Sequence, residues 1–234
     1  MTRSVLVTGG NRGIGLAVAR AFADNGDKVA ITYRTGEPPA GLFGVRCDVT
    51  DAAAMETAFD EVRSQQGPIE VLVANAGMTR DGLLLTMTDE DFMAVLDTNL
   101  MGMVRAVRLA AVDMVRARWG RLVLMGSTTG FWGAPGSANY AASKSALAGL
   151  ARSLAWELGG RKITVNVVCP GLIDTDLVAD MPEKFRAHVL AQTALRRTGT
   201  VEEVAAVVRF LASDEASYVT GALMPVGGGL AMGL

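Results

Sequence analysis

Tyr140 and Lys144 lie four residues apart in an alanine-rich stretch, and this is where two side chains of the sequence most clearly combine into chemistry. On an α-helix, residues at that spacing share one face a single turn apart, so the ammonium is carried beside the phenol. Free tyrosine has a pKa of about 10 and exchanges its proton poorly near neutrality; a neighbouring cation favours the phenolate and brings the exchange into range. Ser127, at the end of the preceding Val/Leu run, can hydrogen-bond a carbonyl oxygen and hold the carbonyl for attack. The other reactive residue types offer less. Cys47 and Cys169 each end a Val-rich run and neither has a partner at CxxC spacing, so both read as buried thiols. His188 is the single histidine, too little for a zinc site or a His-based triad, and it reads as a surface residue in a loop between Pro182 and the Arg196-Arg197 pair.

A second motif sits near the amino terminus, where an apolar run leads into Thr8-Gly9-Gly10-Asn11-Arg12-Gly13-Ile14-Gly15. A glycine-rich turn between a strand and a helix binds phosphate. Gly9, Gly13 and Gly15 let the backbone approach a pyrophosphate, and the free amides and positive dipole end of the helix stabilise its charge. A nucleotide-triphosphate loop is excluded, because no Gly-Lys-Ser/Thr ending follows. The choice of dinucleotide is read about 20 residues further on, where an NAD enzyme places a carboxylate on the ribose 2'-hydroxyl. Here the second strand ends Ile31-Thr32-Tyr33-Arg34-Thr35, with no acid before Glu37. Arg34 and Arg12 can neutralise a 2'-phosphate, which points to NADP rather than NAD. Asp48-Val49 offers a carboxylate for the adenine amino group, and Asn75-Ala76-Gly77 supplies small residues against which a ribose can lie.

The elements that must position these residues are short Val/Ile/Leu runs alternating with longer Ala-rich helical patterns. Strands are expected at 4–8, 28–33, 44–47, 71–74, 121–126, 164–168 and 222–226, and helices at 14–25, 51–66, 89–119, 137–158 and 201–213. The alternation predicts an α/β chain: one doubly wound Rossmann-type domain over 1–234, a seven-stranded parallel sheet with helices on both faces. All the candidate residues then fall at the carboxyl ends of strands, where open parallel sheets bind ligands. Residues 174–200 lack a clean period and carry Pro182, so they read as a partly helical substrate flap.

Composition sets the outer limits. With 234 residues, half of them hydrophobic, the chain can bury a large core, and a formal net charge of -2 supplies no bulk positive field for nucleic acid or an anionic membrane. The apolar stretch from Val5 to Val7 is too short for a signal-peptide core and no other stretch approaches a membrane span, which leads to the expectation of a cytoplasmic protein.

Taken together, Thr8-Gly9-x-x-x-Gly13-x-Gly15, Asn75-Ala76-Gly77, Asn99, the set Ser127, Tyr140 and Lys144, and Pro170-Gly171 resemble the short-chain dehydrogenase/reductase family over essentially the whole chain. The resemblance implies a tetrad. Tyr140 is the acid/base, Lys144 lowers its pKa and binds the nicotinamide ribose, Ser127 orients the carbonyl, and Asn99 holds a water in a proton relay to Lys144. It also implies that Ile173 and Thr175 flank the carboxamide of the nicotinamide. Within the family the chain is most similar to bacterial, particularly actinobacterial, 3-oxoacyl-acyl-carrier-protein reductases, through stretches such as Gly41-Leu42-Phe43-Gly44-Val45 and Ala138-Asn139-Tyr140-Ala141-Ala142-Ser143-Lys144. That likeness implies NADPH as cofactor, a 3-oxoacyl thioester as substrate, a homotetramer, and docking of acyl carrier protein at Arg118 and Arg161 beside the cleft mouth. Two positions depart from the pattern: Ala74 stands where an Asn often opens the Asn-Ala-Gly motif, and Gly227 where an Asp often precedes the last glycines. The flap leaves a coenzyme A ester, a polyketide intermediate, or a sugar or sterol alcohol open as substrate. A non-catalytic nucleotide sensor would be expected to have lost catalytic residues, and all four are present.

Overall fold

The computed structural model describes residues 2–178 and 181–232. Seven strands, β1 (Ser4–Thr8), β2 (Lys28–Tyr33), β3 (Phe43–Arg46), β4 (Val71–Ala74), β5 (Gly120–Met125), β6 (Ile163–Pro170) and β7 (Leu223–Val226), form one sheet in the order β3-β2-β1-β4-β5-β6-β7, every pair parallel. β1, β4, β5 and β6 are buried along their whole length, which is why they read as unbroken apolar runs rather than alternating ones.

Among the described residues, eight α-helices surround the sheet: α1 (Gly13–Asp24), α2 (Ala52–Gln66), α3 (Asp89–Leu96), α4 (Gly102–Ala117), α5 (Thr129–Trp132), α6 (Ala138–Leu158), α7 (Glu183–Gln192) and α8 (Val201–Leu211). α1 packs on α8 over one face, and α2 packs on α4 over the other, as right-handed crossovers of opposite direction require. Phe22, Phe59, Leu6, Ile31, Leu72 and Leu122 fill the space between the layers, all fully buried. Several helix starts are capped as their sequences predict. Asp51 accepts from the amides of Ala53 and Ala54, Thr88 accepts from Asp91, and Thr200 and Glu203 form a reciprocal capping box.

The structure corrects three sequence expectations. The single helix expected over 89–119 is broken by a π-helical turn at Asp97–Met101, which separates α3 from α4 and contains Asn99. His188 lies on α7 and not in a loop, although it is exposed as expected. The flap 174–200 is more regular than its sequence suggests, with a 3-10 turn at Asp176–Val178 before α7; Ala179 and Asp180 lie outside the described residues. No helix among the described residues is long and apolar enough to cross a membrane.

The strand order reverses between β1 and β4, so the chain leaves the two strands on diverging paths and opens a crevice at their carboxyl ends. Rigidity there depends on the layer beneath. Phe59→Ala, which empties a fully buried site between α2 and the sheet, is expected to lower unfolding free energy by about 3–5 kcal/mol, read as a shifted denaturant midpoint.

Candidate active site

A crevice of about 480 Å³ runs from Arg34 and Asp48, past the glycine turn and Asn75-Ala76-Gly77, to Ser127, Tyr140 and Lys144, with Pro170, Gly171, Ile173 and Thr175 along its far wall. Every cofactor-binding residue expected from the sequence lines it.

At the glycine turn, space is the controlling quantity. Gly9 has φ +65°, and a Cβ there would lie 2.9 Å from the Cα of Ala76. A Cβ on Gly15 would collide with the Gly9 carbonyl oxygen and the Asn75 amide. The turn is therefore pressed onto the end of β4. Asn75 Nδ2 donates to the carbonyls of Thr8 and Gly9, both at 3.0 Å, while Thr8 Oγ1 accepts from the amides of Asn75 and Ala76 at 3.0 and 3.1 Å. The Asn75 side chain thus holds the turn, while its motif lines the crevice. α1 begins at Arg12 with no side-chain cap, unlike α2, α3 and α8, so its first-turn amides remain donors toward the crevice. The residues present fit a dinucleotide: a cradle that any Cβ would fill, open amides for a pyrophosphate, and arginines at one end.

At that end Arg34 Nη1 lies 4.0 Å from Asp48 Oδ2, and Asn11 Nδ2 donates to the Thr35 carbonyl, tying the turn to the end of β2. Partial burial pushes the Asp48 carboxyl up, but hydrogen bonds from the Thr50 amide and hydroxyl and the charge of Arg34 outweigh it and hold the group below its usual range.

At the other end, Ser127 follows β5 and Tyr140 and Lys144 stand one turn apart on α6, as their spacing requires. Lys144 Nζ lies 5.7 Å from the centroid of the Tyr140 ring and donates to the Met125 carbonyl at 2.7 Å. Burial pulls the Lys144 ammonium down to about 8. Tyr140 is raised, by burial first; a hydrogen bond with Ser127 pulls it down and the charge of Asp81 adds to the rise. The sequence expectation was a phenol acidified by Lys144. In this geometry the ammonium sits against the ring and is engaged by β5, and Ser127 is the group that favours the phenolate.

Asn99 is tied into the scaffold of the site. Its Oδ1 accepts from the Met78 amide at 2.8 Å, and its Nδ2 donates to the Met78 carbonyl at 2.9 Å and to Ser143 Oγ at 3.1 Å. Ser143 in turn donates to the Tyr140 carbonyl at 2.7 Å. These bonds clamp the loop after β4 to the catalytic helix, and Oδ1 keeps a second lone pair. Thr8, Met78, Ser143 and the carbonyl of Met125 are the participants that sequence reading missed; a hydroxyl or a carbonyl carries no motif of its own. Cys47 and Cys169 are both free and buried, each pushed up to about 11 by burial, with nearby carboxylates adding to the rise at Cys47, in agreement with the reading of inert thiols.

Residues 9–231 match the family model described as "Enoyl-(Acyl carrier protein) reductase". The chain is 51% identical over 233 residues to the 3-oxoacyl-[acyl-carrier-protein] reductase MabA of Mycobacterium tuberculosis (strain ATCC 25618 / H37Rv), covering 100% of this chain and 94% of that protein. The chain belongs to the short-chain dehydrogenase/reductase family. It is also 50% identical to the MabA of Mycobacterium avium, over 100% of this chain and 91% of that protein. Identity to the 3-oxoacyl-[acyl-carrier-protein] reductase FabG of Escherichia coli (strain K12) is 42% over 236 residues, 97% of this chain and 96% of that one.

Arg118 and Arg161 do not flank the mouth of this reductase-family crevice. Arg118 caps α4 two residues before β5 begins, and Arg161 ends the 3-10 turn Gly159–Arg161 two residues before β6. Both are exposed at the amino edge of a parallel sheet whose crevice opens at the carboxyl edge.

Because Lys144 titrates near 8 in the free protein and is needed as a cation, it is charged below that value and loses its charge as pH rises through it. A plot of log kcat/KM against pH is expected to be level below about 8 and to fall with unit slope above it, a kinetic pKa that belongs to the free enzyme.

Proposed function

We propose that this protein reduces 3-oxoacyl-acyl-carrier-protein to the 3-hydroxyacyl form in fatty acid biosynthesis, with NADPH as reductant. The observation that carries the reading is that Ser127, Tyr140 and Lys144 line one crevice, with Ser127 hydrogen-bonded to Tyr140 and the Lys144 ammonium against its ring. Two adjacent hydroxyls are what a single carbonyl oxygen needs as it gains negative charge. The names and full-length identity of the mycobacterial and enterobacterial relatives support the acyl thioester as substrate, and Arg12 and Arg34 at the adenosine end support NADPH.

The chain's own residues divide the work. Ser127 orients the carbonyl and favours the phenolate, Tyr140 gives its proton to the nascent alkoxide, and Lys144 holds the ribose of the nicotinamide as a cation. NADPH, when bound, supplies the hydride that the carbonyl carbon accepts. A tyrosine whose pKa is raised by burial is fully protonated at neutral pH, the state required of a proton donor. Asn99 and Ser143 keep the loop after β4 and the catalytic helix in register, and Ile173 and Thr175 border the nicotinamide end.

Tyr140→Phe is expected to lower kcat by about a thousandfold while NADPH binding, followed by fluorescence, is unchanged. The enoyl reductase description of the matching family favours one alternative, reduction of a carbon–carbon double bond. Assay of matched 3-oxoacyl and 2-enoyl thioesters decides it: turnover confined to the 3-oxo compound supports this reading, and turnover confined to the enoyl compound overturns it.

The cytoplasmic tetramer belongs to the same proposal. α6 exposes the small residues Ala142, Ala146 and Gly149 together with Trp156, which is 91% exposed, and α4 exposes Val112, a surface suited to close packing of a second copy. For Arg118 and Arg161, at the amino edge of the sheet, to reach the substrate, such a second copy must bring them toward the crevice of its partner. Carrier-protein docking at these arginines then requires the dimer. The double variant Arg118→Glu, Arg161→Glu is expected to raise KM for carrier-protein substrate about tenfold and leave KM for the coenzyme A thioester unchanged.

A further inference from the structure

We propose that Arg46 determines cofactor specificity, as a third cation of the subsite for the 2'-phosphate of NADPH, a role additional to those of Arg12 and Arg34. The inference rests on the NADPH reading above and names a residue that no glycine-turn or strand-end motif contains.

The case begins with charge. Arg34 is the strand-end arginine of the subsite, but Asp48 lies within 4.0 Å of it, and the hydrogen bonds from Thr50 keep that carboxylate ionised. Arg12 and Arg34 less Asp48 leave a net single positive charge, whereas a phosphate monoester carries about −1.5 to −2 at pH 7. The subsite is one cation short of matching its ligand.

Arg46, just outside the residues that line the crevice, is bonded to one that does. In the parallel pairing of β2 with β3 it is the register partner of Tyr33, the residue before Arg34. Its Nε donates to the Arg34 carbonyl at 3.2 Å, across the gap between the strand ends. That bond fixes both things at once: it holds the backbone from which Arg34 projects, and it anchors the Arg46 guanidinium beside it. A guanidinium has a rigid fork of donors, and the Nε bond leaves the terminal amino groups free for phosphate oxygens. They take no other protein acceptor among the described residues. Because Arg34 and Asp48 are 63% and 39% exposed, their ion pair at 4.0 Å is weak and opens at little cost when a phosphate arrives. Arg46 then offsets the carboxylate that stays behind.

The test compares Arg46→Ala, Arg46→Glu and Arg46→Lys with the parent protein, using calorimetric titration of adenosine 2',5'-bisphosphate and of 5'-AMP. Thermal unfolding serves as the check on folding. Affinity for the bisphosphate is expected to fall about fivefold in Arg46→Ala and about twentyfold in Arg46→Glu, and to stay within about twofold in Arg46→Lys, with 5'-AMP unaffected in all three. The kcat/KM ratio of NADPH to NADH should fall in parallel. Loss of under twofold for the bisphosphate in both Arg46→Ala and Arg46→Glu, or equal loss for both nucleotides, overturns the role of Arg46 while leaving the NADPH reading in place. If the parent protein binds 5'-AMP as tightly as the bisphosphate, the NADPH reading fails and this proposal fails with it.

Discussion

A buried ammonium governs the architecture of this site. Lys144 is 3% exposed, and a cation taken out of water is costly unless something polar replaces the solvent. The Met125 carbonyl at the end of β5 does so at 2.7 Å. That single bond fixes the height of α6 against the sheet, and Tyr140, one turn away, inherits its place from it. Ser127, two residues beyond Met125 on the same strand end, is positioned by the same register. The proton donor, the group that orients the carbonyl and the charge that stabilises both are thus set by one contact between a helix and a strand.

The second organising constraint is closeness. At the switch between β1 and β4 the glycine turn lies against Ala76, with Thr8 and Asn75 exchanging hydrogen bonds across the gap. The glycines allow the approach and the Thr–Asn bonds enforce it, leaving the first turn of α1 as the polar wall of the crevice. A loop that binds phosphate through its backbone must be rigid without help from the ligand, and here the rigidity comes from β4 rather than from the loop itself.

Much of this could be read before the structure was seen, for definite reasons. Buried parallel strands leave unbroken runs such as Val5-Leu6-Val7 and Val71-Leu72-Val73, and a helix face records itself in the spacing of Tyr140 and Lys144. Element order, the parallel sheet and the glycine turn follow from such local signals, whereas Pro170, Gly171, Ile173 and Thr175 came from the family likeness. What could not be read depends on which atom a side chain chooses among several partners. The carboxamides of Asn75 and Asn99 bond backbone partners that no spacing rule encodes. The effect of Lys144 on Tyr140 was expected from proximity, but proximity in sequence does not say whether an ammonium meets the hydroxyl or the ring. Arg118 and Arg161 were placed at the cleft by likeness alone, and the direction of β5 and β6 puts them at the far edge.

The π-helical turn at Asp97–Met101 has a consequence for how this chain tolerates change in length. Such a turn is equivalent to an α-helix carrying one surplus residue, and each residue advances a helix by about 100°. The wide turn absorbs that residue locally, so deleting one position there would restore regular winding and leave α4 with Ala106, Ala110 and Met114 still toward the core, whereas a deletion inside α4 would turn every residue beyond it through that angle. A deletion in the exposed loop ahead of α3 likewise moves no buried face. Changes of length are therefore accommodated at this turn and upstream of it but not within α4, a pattern set by helical phase rather than by catalysis.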